Sequence, residues 1–333
     1  MIAIAGMIMV HFGPNPVPDT NLGEIYEVSH GRASILFVLL AGIGISFLDR
    51  SFSRFGPLAG SVQLLIRAAI LLPIGLWLQT LDHGVLVILQ FYAMYFAFSA
   101  LIVRLPTSAI LALAIGFLAL GPFLHEFAEQ RWPQWFVGNA PELGDPVGTI
   151  VRDLIVSGYY PLITWGAPLC VGIWLGRQNL GSMNVRLVLL LAGAVLVVGS
   201  SALAGIANNQ LGNTTAIALS NEPHSQTHLW LAGSIGSSIL VLALALIVSD
   251  FAGRIVWPLA AAGQLALTIY VGHLLLLHEF TDLLRYDLVP DAILSVTLFM
   301  AFAVIAATLW RSVFSHGPLE ALFRLPSWMM KRG

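Results

Sequence analysis

The sequence predicts an all-α fold: a polytopic integral membrane helix bundle of about ten transmembrane helices. Apolar residues make up 58% of the 333 positions and the mean hydropathy is +0.86. Charged residues make up only 10% of the chain, whereas soluble domains average about 25%. A water-soluble fold of this length therefore lacks the charged groups to cover its surface. Apolar runs near the length of about 20 residues that crosses a bilayer recur throughout the chain.

Ten apolar stretches are interpreted as spans. Nine of them lie near 33–48, 62–81, 84–103, 107–124, 154–176, 186–207, 229–249, 255–278 and 292–313. The tenth is the opening stretch Met1–Phe12, which is too short to cross the hydrocarbon by itself. It has neither the basic region nor the cleavage site of a signal peptide. We interpret it as the outer part of a first helix whose beginning is missing.

The basic residues predict the orientation of these spans. With loop 49–61 in the cytoplasm, 11 of the 15 Lys and Arg residues lie on the cytoplasmic side, which satisfies the positive-inside rule. Both termini are then cytoplasmic, and we expect a multi-pass protein of the plasma membrane. The basic residues left on the outer side are Arg32, Arg131, Arg152 and Arg285.

Residues 1–333 are predicted to form a single transmembrane domain. The polar stretch 125–153 is expected to be an outer loop with an interfacial helix or lid. The net charge of −2 argues against nucleic acid as a partner. Cys170 is the only cysteine, which excludes a disulfide framework or a Cys/His zinc module, and we expect no metal site. The sequences typical of phosphate loops, zinc proteases and α/β-hydrolases are missing.

Histidines are the most informative side chains, because imidazole is the usual proton carrier near neutral pH. Eight of the nine are predicted on or near the outer face. We interpret four of them as polar residues of the interface: His83, His125, His228 and His278.

Two of the remaining histidines are candidate catalytic residues. His11 ends the first span, where an ionisable group at a helix end is a functional candidate, although a hydrogen bond to a loop carbonyl also explains it. His30 precedes Arg32 at the start of the second span. Arg32 suits a carboxylate or polar substrate, and pairing with Glu24 or Glu27 is the alternative.

Other polar residues are predicted at a similar depth in the outer half, and together they favour one outward-facing cavity. Tyr270 and His273 are three residues apart and share a helix face. Pro161 is predicted to break a span beside two tyrosines, and broken spans are tolerated where they line a cavity. Ser225 or Thr227 is alternatively a simple helix cap. The remaining candidate substrate-binding residues are Gln90, Tyr92, Tyr159, Tyr160, Glu222, His224 and Ser225.

Several segments together resemble a known family. They are MIAIAGMIMVHF, HGRASILFVLLAGIGIS, VILQFYAMYF, SGYYPLITWGAPLCVGIWLGR, EPHSQTHLWLAGSIG, GQLALTIYVGHLL and the terminal GPLEALFR. They resemble the bacterial heparan-alpha-glucosaminide N-acetyltransferase-like proteins, which overlap the YeiB-like membrane family. The resemblance implies the transmembrane acyltransferase bundle and transfer of an acyl group from cytosolic acyl-CoA to an acceptor on the far face.

The resemblance also bears on individual residues. His11 matches the family's histidine at the end of helix one, and His30 falls near the active histidine of the animal enzyme without superposing on it. The family's arginine eleven residues before the helix-one histidine has no counterpart here, and its absence is expected to affect activity.

The chemistry expected is acyl transfer, with a histidine as base or nucleophile. Acyl-CoA is the expected co-substrate, and a glycan or small molecule is the expected acceptor. The lipid bilayer is a further partner, and a homodimer is a possible oligomer. A transporter or flippase for a small solute or lipid-linked sugar is the alternative function. The CoA phosphates are expected at cytoplasmic arginines, which positive-inside bias explains equally well: Arg50, Arg54, Arg104, Arg177 and Arg254.

Overall fold

The computed structural model describes residues 1–14, 17–18, 20–27, 29–138, 140–210, 219–253 and 255–324. Over these residues the chain is helical, with no strand, which confirms the predicted fold class. The helices are α1 Ile2–Phe12, α2 Asn21–Glu27, α3 Arg32–Phe52, α4 Ala59–Gln79, α5 Leu89–Ile102, α6 Thr107–Arg131, α7 Val147–Arg152, α8 Leu162–Leu175, α9 Met183–Gln210, α10 His228–Ala252, α11 Trp257–Gln264, α12 Ala266–Glu279, α13 Thr281–Leu284 and α14 Val289–Val313.

Each predicted span corresponds to helical structure. Six helices (α3, α4, α6, α9, α10 and α14) are long and apolar enough to cross a membrane. Two bent pairs of helices raise that number to eight, and α1 and α5 are shorter apolar helices. The chain is therefore a multi-pass membrane protein. Helix α6 runs to Arg131, past the predicted end at 124, so the stretch 125–153 contributes a helix end, one 3-10 turn and α7 rather than a loop alone.

Each of the two bent pairs has the geometry of a broken span or of a re-entrant loop. The first consists of Val147–Ser157 and Leu162–Leu175, which meet at 61°. The predicted break at Pro161 is confirmed, because this residue precedes α8 in extended conformation and has no N–H to continue a helix. The second consists of Trp257–Gln264 and Ala266–Glu279, which meet at 73°. The predicted span 255–278 is therefore interrupted at Leu265.

The described residues divide into two compact units. Unit 1 comprises Met1–Ser34, Leu81–Val85 and Val248–Gly333, and unit 2 comprises Ile35–Thr80 and Leu86–Ile247. In unit 1, α1 packs against α12 and α14, with Phe12 edge-on to Phe299. In unit 2, α4 packs along α5 and α6 along α8. The expectation of a single domain stays a prediction.

Candidate active site

Two histidines of unit 1, one from the end of α1 and one from α12, are joined by a hydrogen bond. Nδ1 of His11 lies 2.9 Å from Nε2 of His273. The rings are 5.1 Å apart between centroids and 8° from parallel, which is the geometry of two imidazoles meeting edge to edge in nearly one plane. His273 is fully buried, and the ring of Tyr270 lies edge-on 5.1 Å away, which confirms that these two residues share a helix face.

One imidazole of the pair donates the shared proton and the other accepts it, and the tautomer decides which. Nδ1 of His273 is buried and has no hydrogen-bond partner among the residues described. In the tautomer with the proton on Nδ1 of His11, Nε2 of His273 is the acceptor. Nε2 of His11 then keeps the lone pair that a general base requires.

Two residues that the sequence analysis did not assign to the site complete this cluster. His83 is buried, interacts electrostatically with both histidines of the pair, and accepts a hydrogen bond at Nδ1 from the Val85 N–H at 3.1 Å. Arg285 donates from Nη2 to the carbonyl of His83 at 2.9 Å and from Nε to the carbonyl of His11 at 3.4 Å. The guanidinium therefore ties the end of α1 to segment 81–85. The only indication of Arg285 in the sequence is that few basic residues are predicted on the outer side and Arg285 is one of them.

The turn between α2 and α3 places His30 near this pair. His30 interacts electrostatically with His11, and its ring lies 5.4 Å from that of Tyr26. Burial lowers the pKa of His30 below its ordinary value, with Glu27 acting in the opposite direction. Burial also raises the pKa of Tyr26 to about 12, and its hydroxyl donates to the carbonyl of Met9 in α1.

Arg32 begins α3, and the charge of Glu27 acts on its guanidinium. This agrees with the ion-pairing alternative for Arg32, which the sequence analysis left open.

A second group of predicted residues lies in unit 2, where His224 is surrounded by aromatic rings. The centroid of its ring is 4.3 Å from that of Tyr159, 5.7 Å from Tyr160, 6.0 Å from Trp165 and 5.6 Å from Trp230. We call these four rings and His224 the aromatic enclosure. Both tryptophans are fully buried, and the residues described offer no acceptor to either indole N–H.

Gln226, another residue that the sequence analysis missed, holds this loop against the break of the first broken span. Its Oε1 accepts a hydrogen bond from the Thr164 hydroxyl at 2.7 Å, and its Nε2 donates to the carbonyl of Tyr159 at 3.2 Å. Gln226 and His224 have φ of +57° and +60°, a left-handed conformation that non-glycine residues rarely adopt. Such outliers cluster at functional sites, because surrounding contacts must hold them in place.

The residues next to this loop have simpler roles. Thr227 caps α10, since its hydroxyl accepts from the Trp230 N–H at 3.2 Å, and the hydroxyl of Ser225 lies 3.2 Å from that of Thr227. Helix capping, the alternative named for this stretch, is therefore confirmed for Thr227. Glu222 is exposed, and its carbonyl accepts from the Ser225 N–H.

Gln90 and Tyr92 lie on α5, within unit 2. Gln90 is fully buried and donates to the carbonyl of Pro141 at 3.4 Å. The ring of Tyr92 packs 5.3 Å from that of Phe37. The hydroxyl of Tyr95, one turn further along α5, donates to the carbonyl of Tyr160 at 2.6 Å and so links this helix to the aromatic enclosure.

Two of the predicted CoA-binding arginines interact with a carboxylate of unit 2, and a third interacts with one of these two. Asp49 interacts electrostatically with Arg177 and Arg104, and Arg177 interacts with Arg50. Arg50 donates to the carbonyl of Gly176 at 3.2 Å, and Arg177 to that of Leu105 at 2.7 Å.

The remaining two arginines are not part of this group. The guanidinium of Arg54 lies 4.8 Å from the ring centroid of Phe55. Arg254 lies outside the described residues. The hydrogen bonds from Arg50 and Arg177 to backbone carbonyls are compatible with phosphate binding. They are equally compatible with positive-inside bias as the reason for these arginines.

The helices define a polytopic membrane protein. Two of them carry the buried histidine pair. In the part of the chain described, no three His, Cys, Asp or Glu side chains are arranged to hold a metal ion. A family model described as an acyltransferase domain (acyltransferase family 3) matches residues 83–312, more than half of the chain. The chain therefore belongs to this family of membrane acyltransferases. Neither the search of curated proteins nor that of solved structures gives a match.

Proposed function

We propose that this protein transfers an acetyl-type acyl group from cytosolic acyl-CoA to a glycan or amino sugar at the outer face of the plasma membrane. The observation that carries the proposal is the bond between His11 and His273, which supplies an oriented base in a member of an acyltransferase family. The matched residues include His273 but begin after His11, so the role of His11 rests on geometry and on the resemblance noted above.

In the proposed reaction, Nε2 of His11 accepts the proton of the acceptor hydroxyl or amine as its oxygen or nitrogen attacks the thioester carbonyl. The new bond to carbon forms, the carbon–sulfur bond breaks, and CoA leaves as a thiolate that receives the proton from the His11 imidazolium. His273 stabilises that imidazolium by accepting the Nδ1–H bond, as the orienting partner of a base does in other acyl-transfer enzymes. Burial excludes the water that competes with the acceptor.

A covalent route through an acyl-imidazole on His11 is the alternative, since a neutral imidazole is also a nucleophile. Rapid mixing with acyl-CoA in the absence of acceptor, followed by acid quench and mass spectrometry, separates the two routes. A mass increase of one acyl group on the peptide containing His11 indicates the covalent route, and direct transfer leaves the peptide unmodified.

The proposed sidedness follows from the charges. Arg104 and Arg177 interact electrostatically with Asp49, and Arg50 interacts with Arg177. We propose that these arginines lie on the cytoplasmic side, where they would bind the CoA phosphates. Both termini would then be cytoplasmic.

Reconstitution into proteoliposomes tests the proposal. Acetyl-CoA labelled in the acetyl group is supplied on one side and glucosamine on the other, and transfer is expected to place label on the amino sugar only in the presence of both. Uptake of the sugar without acyl-CoA would instead support the transporter alternative. If acetyl-CoA does not bind to the purified protein, the proposal that acetyl-CoA is the acyl donor is wrong.

Replacement of His273 with alanine is expected to lower kcat by about 10- to 100-fold while leaving the KM for acetyl-CoA within twofold. The change removes a partner that orients and stabilises the base without removing the base itself. Steady-state kinetics on the His273→Ala and His273→Gln proteins provide the measurement, and glutamine is expected to restore part of kcat because its amide can still accept from His11. An unchanged kcat in both variants would remove His273 from the site.

A further inference from the structure

The helix that carries His273 begins directly after the 73° break at Leu265. The first N–H groups of a helix have no partner within that helix, and side chains or water satisfy them. The start of α12 therefore needs a partner from outside the helix.

Glu320 of the terminal GPLEALFR segment supplies it. Its Oε1 accepts hydrogen bonds from the N–H groups of Leu267 at 2.8 Å and Thr268 at 3.0 Å. Its Oε2 accepts from the Thr268 hydroxyl at 2.6 Å. The contact is reciprocal, since Thr268 Oγ1 in turn accepts from the N–H of Leu319 at 3.2 Å. The Glu320 carboxylate lies close to the backbone of Gly317, and a Cβ at position 317 would collide with it.

We propose that Glu320 is a positioning residue for the histidine pair, acting through α12. Thr268 and His273 are five residues apart on one helix, or about 7.5 Å along its axis. A short rigid helix transmits any shift of its first turn to the His273 ring. The 2.9 Å bond between His11 and His273 depends on that ring position. The catalytic consequence rests on the function proposed above.

A carboxylate suits this place better than any other side chain. Its two oxygens accept three hydrogen bonds at once, and its negative charge interacts favourably with the positive end of the helix dipole. Glutamine has nearly the same shape but only one acceptor oxygen, and its NH2 group would face donors. The pair of variants Glu320→Gln and Glu320→Ala therefore separates charge from shape.

Hydrogen exchange of the full-length protein in detergent tests the cap directly. The amides of Leu267 and Thr268 are expected to exchange at least about 10-fold faster in Glu320→Gln than in the parent, and faster still in Glu320→Ala. Glu129→Gln, which removes an exposed carboxylate from α6, is the matched control and is expected to leave exchange unchanged. Unchanged protection of both amides in Glu320→Ala would overturn the proposal.

The positioning role has a readout that requires no transferase activity. Modification of His273 by diethyl pyrocarbonate, followed by mass spectrometry, reports how well the buried pair is held. We expect modification at least about 10-fold faster in Glu320→Gln than in Glu129→Gln, and kcat about 10-fold lower with the KM for acetyl-CoA unchanged. An unchanged modification rate in Glu320→Ala would overturn the positioning role. An inactive parent with faster modification in Glu320→Gln would instead refute the proposed function and leave the positioning role supported.

Discussion

Replacement of His11 with alanine is expected to reduce acyl transfer by about 10²- to 10⁴-fold, the usual contribution of a positioned general base. In the proposed reaction Nε2 of His11 is the basic nitrogen, and alanine removes it while the rest of α1 stays apolar. The measurement is the rate of label transfer from acetyl-CoA in proteoliposomes containing equal amounts of folded protein. The binding of acetyl-CoA is expected to stay within twofold of the parent.

His278→Ala is the matched control for His11→Ala. His278 lies on the same helix as His273, at its end, and its Nδ1 lies 3.1 Å from the carbonyl of Asp82 rather than in the pair. Its loss is expected to change the rate by less than about threefold. A His11→Ala protein that transfers at a rate close to that of the control would show that another group activates the acceptor.

Replacement of Gly42 with leucine is expected to prevent stable folding. Gly42 of α3 and Gly172 of α8 meet where the two helices cross, so that a Cβ on Gly42 would lie 2.7 Å from the backbone N of Ile173. A side chain there must push the helix backbones apart, and overpacking of this kind costs about 1–3 kcal/mol or more. Small residues at such crossings let membrane helices approach closely. The expected result is loss of the monodisperse peak in size-exclusion chromatography.

Gly44→Leu provides the comparison, because a Cβ at Gly44 has open space around it and lies on the same helix. This variant is expected to keep the elution profile and melting temperature of the parent to within a few degrees. Equal loss of folded protein in both variants would mean that leucine is harmful to α3 in general rather than at its crossing with α8.

Much of the fold is predictable because apolar length and residue type act locally. The nine long apolar runs correspond to helices, and the break at Pro161 follows from a missing N–H. The break at Leu265 is different, since no proline or polar run marks it. The N–H groups of Leu267 and Thr268 that follow it are satisfied by Glu320, which is 55 residues beyond Leu265 along the chain.

The site is predictable to a similar degree. Helical spacing places Tyr270 beside His273, and the end of an apolar helix makes His11 a candidate. His83 was interpreted as an ordinary interfacial histidine, yet the structure buries it close enough to interact electrostatically with the pair. Gln226 carries no sequence signal, because its importance comes from hydrogen bonds to Thr164 and Tyr159 more than 60 positions away.

The sequence by itself determined that the chain is a helical membrane protein, since hydropathy and the scarcity of charges depend only on composition. It also predicted histidines as the reactive groups, because few other ionisable side chains remain in the apolar segments. Only the tertiary structure decided that His11 bonds to His273, which is 262 positions away, and that His224 lies among four aromatic rings. The physical reason is that hydrophobic periodicity specifies which face of a helix is buried, whereas polar partners are specified by how the helices pack.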